Sequence, residues 1–412
     1  MNIYLIITLL IVLSASFGYI NIRFLKLSET IGLMIVAILF SIGLLGINYF
    51  SPSSFGFARN FISTINFSSV LLDIMLSFLL FAGALHVDIS LLKSERRSII
   101  LFSVISVILS TLLVSGFIFG ISRLIGFELS YIYCLLFGGL ISPTDPIAVL
   151  GILTKANVPK KIETNIVGES LFNDGVGVVI FITIMEIIRS GVDNISAIQI
   201  SWLFIQEVAG GILFGIALGY LMYWLLKSID NYQTELMITL AGVMGGYYLA
   251  NFFHISGPLA IVVAGLLTGS RSKEKAMSDT TELYVIKFWE LVDVIMNAIL
   301  FVLIGLSIIT IQFETVYMWA ILLIIPAVLI SRFLALRIPL LVAKKWIDID
   351  YKTTLLMTWG GLRGGLSIAM ALSLENGSNK NFIVAITYGI VVFSIIVQGL
   401  TVEKLAKKLY KK

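Results

Sequence analysis

Apolar residues in this chain fall in runs long enough to cross a membrane, separated by short polar stretches. A hydrocarbon core of about 30 Å requires roughly 20 apolar residues per helix. That ruler predicts thirteen segments, at about 3–20, 31–50, 69–86, 98–121, 131–153, 166–188, 202–226, 235–253, 257–270, 288–310, 316–343, 354–374 and 381–400. Each is apolar around its whole circumference rather than along one stripe, as lipid-embedded helices are. The ninth, 257–270, is short for a span. No positive residue precedes the run Ile3–Phe17, so it reads as a first membrane helix and not as a cleaved signal peptide. The pattern predicts an all-α polytopic membrane protein with about 13 transmembrane helices. It forms a single domain over 1–412, and residues 402–412 make a short basic tail.

Composition narrows this further. Hydrophobic residues make up 58% of the 412 and charged residues 13%, against about 45–50% and about 25% in soluble domains. So few charges could not cover a soluble surface. The balance of 28 Lys and Arg against 24 Asp and Glu is too even for a nucleic-acid binder. One cysteine, Cys134, and two histidines exclude a disulfide framework and disfavour a soft-metal site. The loop charges then orient the chain. With the C-terminus inside, Arg59, Arg123, Arg189 and Lys380 are the cations on the outer side, and Arg363 lies within a segment. All others, including Arg332, Arg337, Lys344, Lys345 and Lys352 counted in one loop, fall on the inner side. The positive-inside rule therefore predicts an outside N-terminus and a cytoplasmic C-terminus in the inner (plasma) membrane.

Charged groups inside such segments are costly, and each is a candidate for function. The fifth segment contains Gly138-Gly139-Leu140-Ile141-Ser142-Pro143-Thr144-Asp145-Pro146, in which two prolines remove backbone donors on either side of an aspartate. Such a break at membrane depth needs protein or a water-filled cavity to satisfy the freed groups. The sixth contains Glu169-Ser170-Leu171-Phe172-Asn173-Asp174-Gly175. Helical spacing stacks Glu169 with Asn173 and Ser170 with Asp174, giving hard oxygen ligands of the kind a small alkali cation needs. The twelfth contains Trp359-Gly360-Gly361-Leu362-Arg363-Gly364-Gly365, a lone arginine bracketed by glycines. The competing structural readings are a packing kink, a polar seam between helices and a snorkelling arginine. Depth argues against coincidence: Asp174 and Asp145 lie about 12 Å, and Arg363 about 14 Å, from the inner ends of their segments at 1.5 Å per residue.

The broken segments are the fifth and twelfth, the fifth members of two six-helix units spanning roughly 1–190 and 235–401. Their offset of seven makes them antiparallel, as crossing discontinuous helices of an inverted repeat must be. Paired interrupted helices point to a transporter binding site.

At these residues the chain resembles the monovalent cation:proton antiporter-1 family, the bacterial sodium/proton antiporters related to animal sodium/proton exchangers. The likeness runs through Ser142–Pro146, Glu169–Asp174, Ser256-Gly257-Pro258-Leu259-Ala260, Phe288-Trp289-Glu290 with Asn297, Trp359–Gly365 and Gln398-Gly399-Leu400-Thr401. It implies a homodimer in which a mobile six-helix bundle moves against a dimer scaffold. It also implies that Asp174 carries both ion and proton, that Asp145, Ser170 and the Thr144 carbonyl line a sodium site, that Asn173 supports it, and that Glu169 pairs with Arg363. Relatives with two adjacent aspartates are associated with electrogenic exchange; Asn173 before Asp174 implies one-for-one, electroneutral exchange here. Some relatives have an acid in the third segment, where this chain reads Phe81-Ala82-Gly83-Ala84-Leu85. Only about a dozen residues follow the last segment, against the long regulatory tail of the animal exchangers.

The reading is therefore a secondary antiporter of sodium or lithium against protons, with no cofactor beyond its transported ions. Its partners are small monovalent cations, protons, membrane lipid and a second copy of itself. The alternatives are a potassium/proton antiporter and a cation channel, the latter disfavoured by a single carboxylate between two broken helices. No nucleophile–base constellation supports an enzyme, and no attached signalling domain supports a sensor. Glu290 and Asp293 read as supporting or entrance residues, Asp73 and Glu207 as interfacial or dimer-facing. His86 and His254 read as interfacial histidines beside segment ends, and Lys404–Lys412 as an anchor next to acidic lipid.

Overall fold

The computed structural model describes residues 3–47, 56, 59, 62, 65–145, 158–191, 196–271, 277–311, 314–344, 347 and 349–410. Pro146 and the rest of the fifth predicted segment lie outside them, as do Lys155, Lys273, Lys275, Lys345, Lys411 and Lys412. Among the described residues helix overlaps each predicted segment, the fifth only over Tyr131–Ile141. The elements are α1 (Ile3–Ile20, continued by a π turn Asn21–Leu25), α2 (Glu29–Ile47), α3 (Phe67–Leu85), α4 (Arg96–Leu124), α5 (Tyr131–Ile141) and α6 (Lys160–Ser190). There follow α7 (Ala197–Lys227), α8 (Tyr232–Phe252), α9 (Gly257–Arg271), α10 (Asp279–Ser307) and α11 (Thr315–Ala343). The twelfth segment divides into α12 (Tyr351–Gly360) and α13 (Gly365–Leu372), and α14 (Ser378–Tyr410) closes the chain.

Among the described residues nine of these helices are long and apolar enough to cross a membrane alone. The others have physical reasons for falling short. The helix of α5 stops where Pro143 approaches, α9 is 15 residues long, and α12 and α13 are halves of one interrupted span. α8 has the length, 21 residues, but carries a more polar sequence.

Two groups of helices form. α4, α5, α6, α11, the α12–α13 pair and α14 pack chiefly on one another; α2, α3, α7, α8, α9 and α10 make the second, with α1 against α2 and α10. Small residues set the close approaches. A Cβ on Gly138 would lie 2.3 Å from the Thr111 carbonyl oxygen of α4. The seam runs where α13 meets α3 and where α6 meets α7 and α9. α6 is central, with 61% of its most apolar window buried, whereas α1 and α7 bury 22% and turn the rest outward. Trp202, Leu213 and Trp224 of α7 are among the exposed apolar side chains, as lipid-facing surface requires.

Two expectations change. Arg332 and Arg337, counted from sequence among the inner loop charges although they fall inside the predicted segment 316–343, both lie within α11. Residues 402–410, read as a tail, continue α14 as a helix with Val402 and Ala406 buried. Their apolar positions recur every four residues, which puts both on one face.

Candidate ion-binding site

Breaking a helix inside a membrane creates a backbone debt of unpaired groups that must be settled locally. In a continuous helix the Ser142 carbonyl would accept from residue 146, which is proline and has no N–H. Arg363 supplies the missing donor: its Nη1 donates to the carbonyl oxygens of Ser142 and, at 3.0 Å, Pro143. The exchange is mutual. Asp145 N donates to Leu362 O at 2.8 Å, so the described end of the fifth segment meets the interruption of the twelfth in an isolated antiparallel bridge, called the crossing below. α14 satisfies two further backbone groups through a π turn, Ser394–Gln398. Arg363 N donates to Ser394 Oγ (2.9 Å), and Gln398 Nε2 donates to Trp359 O (2.9 Å). Such π turns are frequent at functional sites.

Against this crossing α6 presents its polar face. Asn173 clamps Thr144 twice: Nδ2 donates to Thr144 Oγ1 at 2.8 Å, and Oδ1 accepts from Thr144 N at 3.4 Å. Ser170 Oγ donates to the Thr144 carbonyl oxygen. Asn173, Ser170 and Thr144 are buried, whereas Asp145 and Asp174 are half-buried and line one cavity of about 610 Å³. Gly364 admits the Asp145 carboxylate, because a Cβ there would stand 2.6 Å from Oδ2. Asp145 thus approaches the N-terminal end of α13, where the helix dipole favours negative charge. The structure brings together Asp145, Asp174, Ser170 and Thr144, with Asn173 behind them. Two carboxylates and neutral oxygens form a hard donor set suited to a small cation.

The pairing of Glu169 differs from expectation. Its partner is Arg332, whose Nη2 lies 2.6 Å from Glu169 Oε1 with both side chains almost wholly buried, at 1% and 2% exposure. Arg363 is engaged with the carbonyls of the broken helix instead. Sequence reasoning missed Arg332, although a signal existed. It lies eleven residues before the end of α11, about 16 Å into the membrane at 1.5 Å per residue.

The cavity runs from the two aspartates, past the leucines of α3, to Lys160 and Glu163 at the first turn of α6. Glu290, Asp293 and His86 stand in its wall. His86 Nδ1 is 2.7 Å from Ala82 O, and Nε2 is 3.7 Å from Glu290 Oε1, which shares its carboxylate with Lys287 at 2.6 Å. Phe81, in the third segment where some relatives carry an acid, is fully buried with its ring centroid 4.6 Å from that of Trp289.

Residues 11–408 match the family described as sodium/hydrogen exchanger, transmembrane. The chain belongs to that family. Within the exchanger family it is 44% identical over 406 residues to the Na(+)/H(+) antiporter NhaP of Pseudomonas aeruginosa, covering 97% of this chain and 95% of that protein. It is 33% identical over 353 residues to the Na(+)/H(+) antiporter NhaH of Halobacillus dabanensis, covering 83% and 84%. The fold matches that of the sodium proton antiporter MjNhaP1 from Methanocaldococcus jannaschii at pH 8, with a TM-score of 0.77 over 100% of both chains at 22% identity. Members of the exchanger family are transporters, and at the meeting of α5 with α12–α13, among the described residues, carboxylate oxygens line a cavity.

Proposed function

We propose that this chain exchanges sodium or lithium for protons across the plasma membrane, one for one, with Asp174 as the alternating carrier. The observation that carries the reading is the set of charges at the crossing: Arg332 and Arg363 against Glu169, Asp145 and Asp174. With the ion-paired and bridged groups ionised throughout, the empty site has one net negative charge. One monovalent cation or one proton on Asp174 brings it to neutrality. An uncompensated charge is expensive at membrane depth, so the loaded forms can reorient and the empty form cannot. Obligatory, electroneutral exchange follows.

Asp145, Ser170 and the Thr144 carbonyl complete the cation shell in this reading, and Asn173 holds Thr144 in register. The chain is placed with its N-terminus outside and its C-terminus in the cytoplasm. The exposed Lys160 at the cavity mouth then faces the cytoplasm, which supports an inward-open state. Segments 1–6 and 8–13 act as inverted repeats, and the six-helix group that contains the crossing moves against the other in a homodimer. The deciding experiment is sodium-driven proton flux in proteoliposomes, with the membrane potential clamped by potassium and valinomycin. Lithium and potassium are then offered in turn without the clamp. A rate or end-point that moves with clamped voltage would require a second titrating group and overturn one-for-one exchange; flux driven by potassium alone would overturn the ion assignment.

A further inference from the structure

The last helix is longer than a membrane needs. α14 has 33 residues, about 50 Å at 1.5 Å per residue, against roughly 30 Å of hydrocarbon. Its apolar stretch ends at Leu400, so Thr401–Tyr410 lies at the level of the lipid headgroups. The character of the helix changes at that depth. Lys404, Lys407 and Lys408, spaced three and four apart, are exposed along one face, while Val402 and Ala406 are buried on another. Glu403, 2.5 Å from Lys407, offsets part of the positive charge, and Lys411 and Lys412 follow in the sequence.

The inner face is not a loose anchor. Val402 and Ala406 join a cluster with Leu336 and Leu340 of α11 and Leu356 and Met357 of α12. Trp359 Nε1 donates to Thr401 Oγ1 at 2.9 Å. At the far end of α12, Thr353 Oγ1 donates to Asp350 Oδ1 (2.5 Å), so the 2.8 Å contact with Tyr410 is donated by the tyrosine hydroxyl. α12 is thereby fastened to α14 at both ends, and α12 terminates on the crossing that holds Asp145 and Arg363.

We propose that the lysine face of Lys404, Lys407 and Lys408 binds the anionic headgroups of the surrounding phospholipid, and that this contact, passed through Thr353 and Trp359, holds α12 in its transport-competent position. Each lysine near an anionic surface favours binding by about fivefold, so three act as a composition-sensitive latch. The transport readout rests on the exchange reading above; the binding readout does not.

The test uses the full chain reconstituted in phosphatidylcholine alone and in an equal mixture with phosphatidylglycerol. Sodium-driven proton flux per inserted protein is measured, together with phosphatidylglycerol retained through delipidation by native mass spectrometry. The unmodified chain is expected to retain the anionic lipid and to run several-fold faster in the mixture. Lys404→Gln/Lys407→Gln/Lys408→Gln is expected to lose both the retention and the gain. Tyr410→Phe is expected to keep the lipid and lose most of the gain. A triple variant that retains lipid and speeds up like the unmodified chain would overturn the binding face. So would an unmodified chain indifferent to phosphatidylglycerol, which would leave the face to a soluble acidic partner. A Tyr410→Phe chain with the full gain would overturn the coupling. Sodium-independent flux in every vesicle, with lipid still retained by the unmodified chain alone, would count against the exchange reading and not against this one.

Discussion

Arg332 reaches Glu169 from α11, with Nη2 2.6 Å from Oε1 and neither side chain more than 2% exposed. Arg363 stands at the same crossing but faces the Ser142 and Pro143 carbonyls. The two arginines therefore divide the work. One balances a buried carboxylate, and the other satisfies a broken backbone.

Removing either partner of the α11–α6 pair strands a charge at a cost of roughly 3–5 kcal/mol. Glu169→Gln and Arg332→Gln are each expected to lower the melting temperature in detergent sharply and to reduce inserted protein. The double variant should recover part of the loss, with a coupling of about 0.5–3 kcal/mol. Glu169→Gln with Arg363→Gln should show the smaller coupling of the two cycles. Equal coupling in both would mean that the arginines share Glu169.

Asp174→Asn retains the shape of the side chain while removing its titration. The variant is expected to insert and melt like the unmodified chain, because Asp174 is half-buried and lines a cavity. Sodium-dependent proton flux in proteoliposomes should vanish. Substantial residual flux would remove Asp174 from the carrier role.

Much of this was readable from residues alone. Two prolines three residues apart around Asp145 and four glycines around Arg363 announce breaks, since proline removes a backbone donor and clustered glycines weaken a helix, whereas the single prolines Pro326 and Pro339 leave α11 continuous. Stacking of Ser170 with Asp174 follows from the helical repeat. The remainder depends on what packs against what. Arg332 sits in an unbroken apolar helix near two further inner-side cations, so loop-charge bookkeeping absorbs it. Ser394 looks like an ordinary polar residue in a membrane helix, and Gln398 stands out only through the family likeness, until the crossing puts Arg363 N and Trp359 O beside them. The packed end of α14 is hidden in the sequence because the five lysines in the chain's last nine residues, Lys404–Lys412, outweigh Val402 and Ala406 in any average.

Gly364 offers a sharper probe of the cation shell. Its backbone is extended, with φ −107°, so alanine brings no strain of its own. The added methyl would meet Asp145 Oδ2 at 2.6 Å and push the carboxylate aside. Gly364→Ala is expected to raise the half-saturating sodium concentration by on the order of tenfold or more, as misplaced ligands do, with little change in melting temperature. Unchanged sodium dependence would show that Asp145 does not touch the ion.

Arg363 has two roles that substitutions can separate. Its Nη1 donates to two carbonyls that the proline-broken helix leaves open, and its charge offsets the aspartates of the site. Arg363→Ala removes both, orphaning two buried acceptors at about 1–3 kcal/mol each; the variant is expected to be poorly inserted. Arg363→Gln keeps two N–H donors on a neutral group, so it should fold better than the alanine variant. It leaves the cation-loaded site with one net negative charge, and its exchange should remain severely reduced. Arg363→Lys keeps a positive charge and the donors on a more flexible stem and should restore part of the activity. Insertion and melting temperature are therefore expected to rank Lys above Gln above Ala, while proton flux separates Lys from both of the others. Full activity in the glutamine variant would mean that the charge of Arg363 is not needed for reorientation, and the charge ledger behind one-for-one exchange would have to be rebuilt around Arg332 alone.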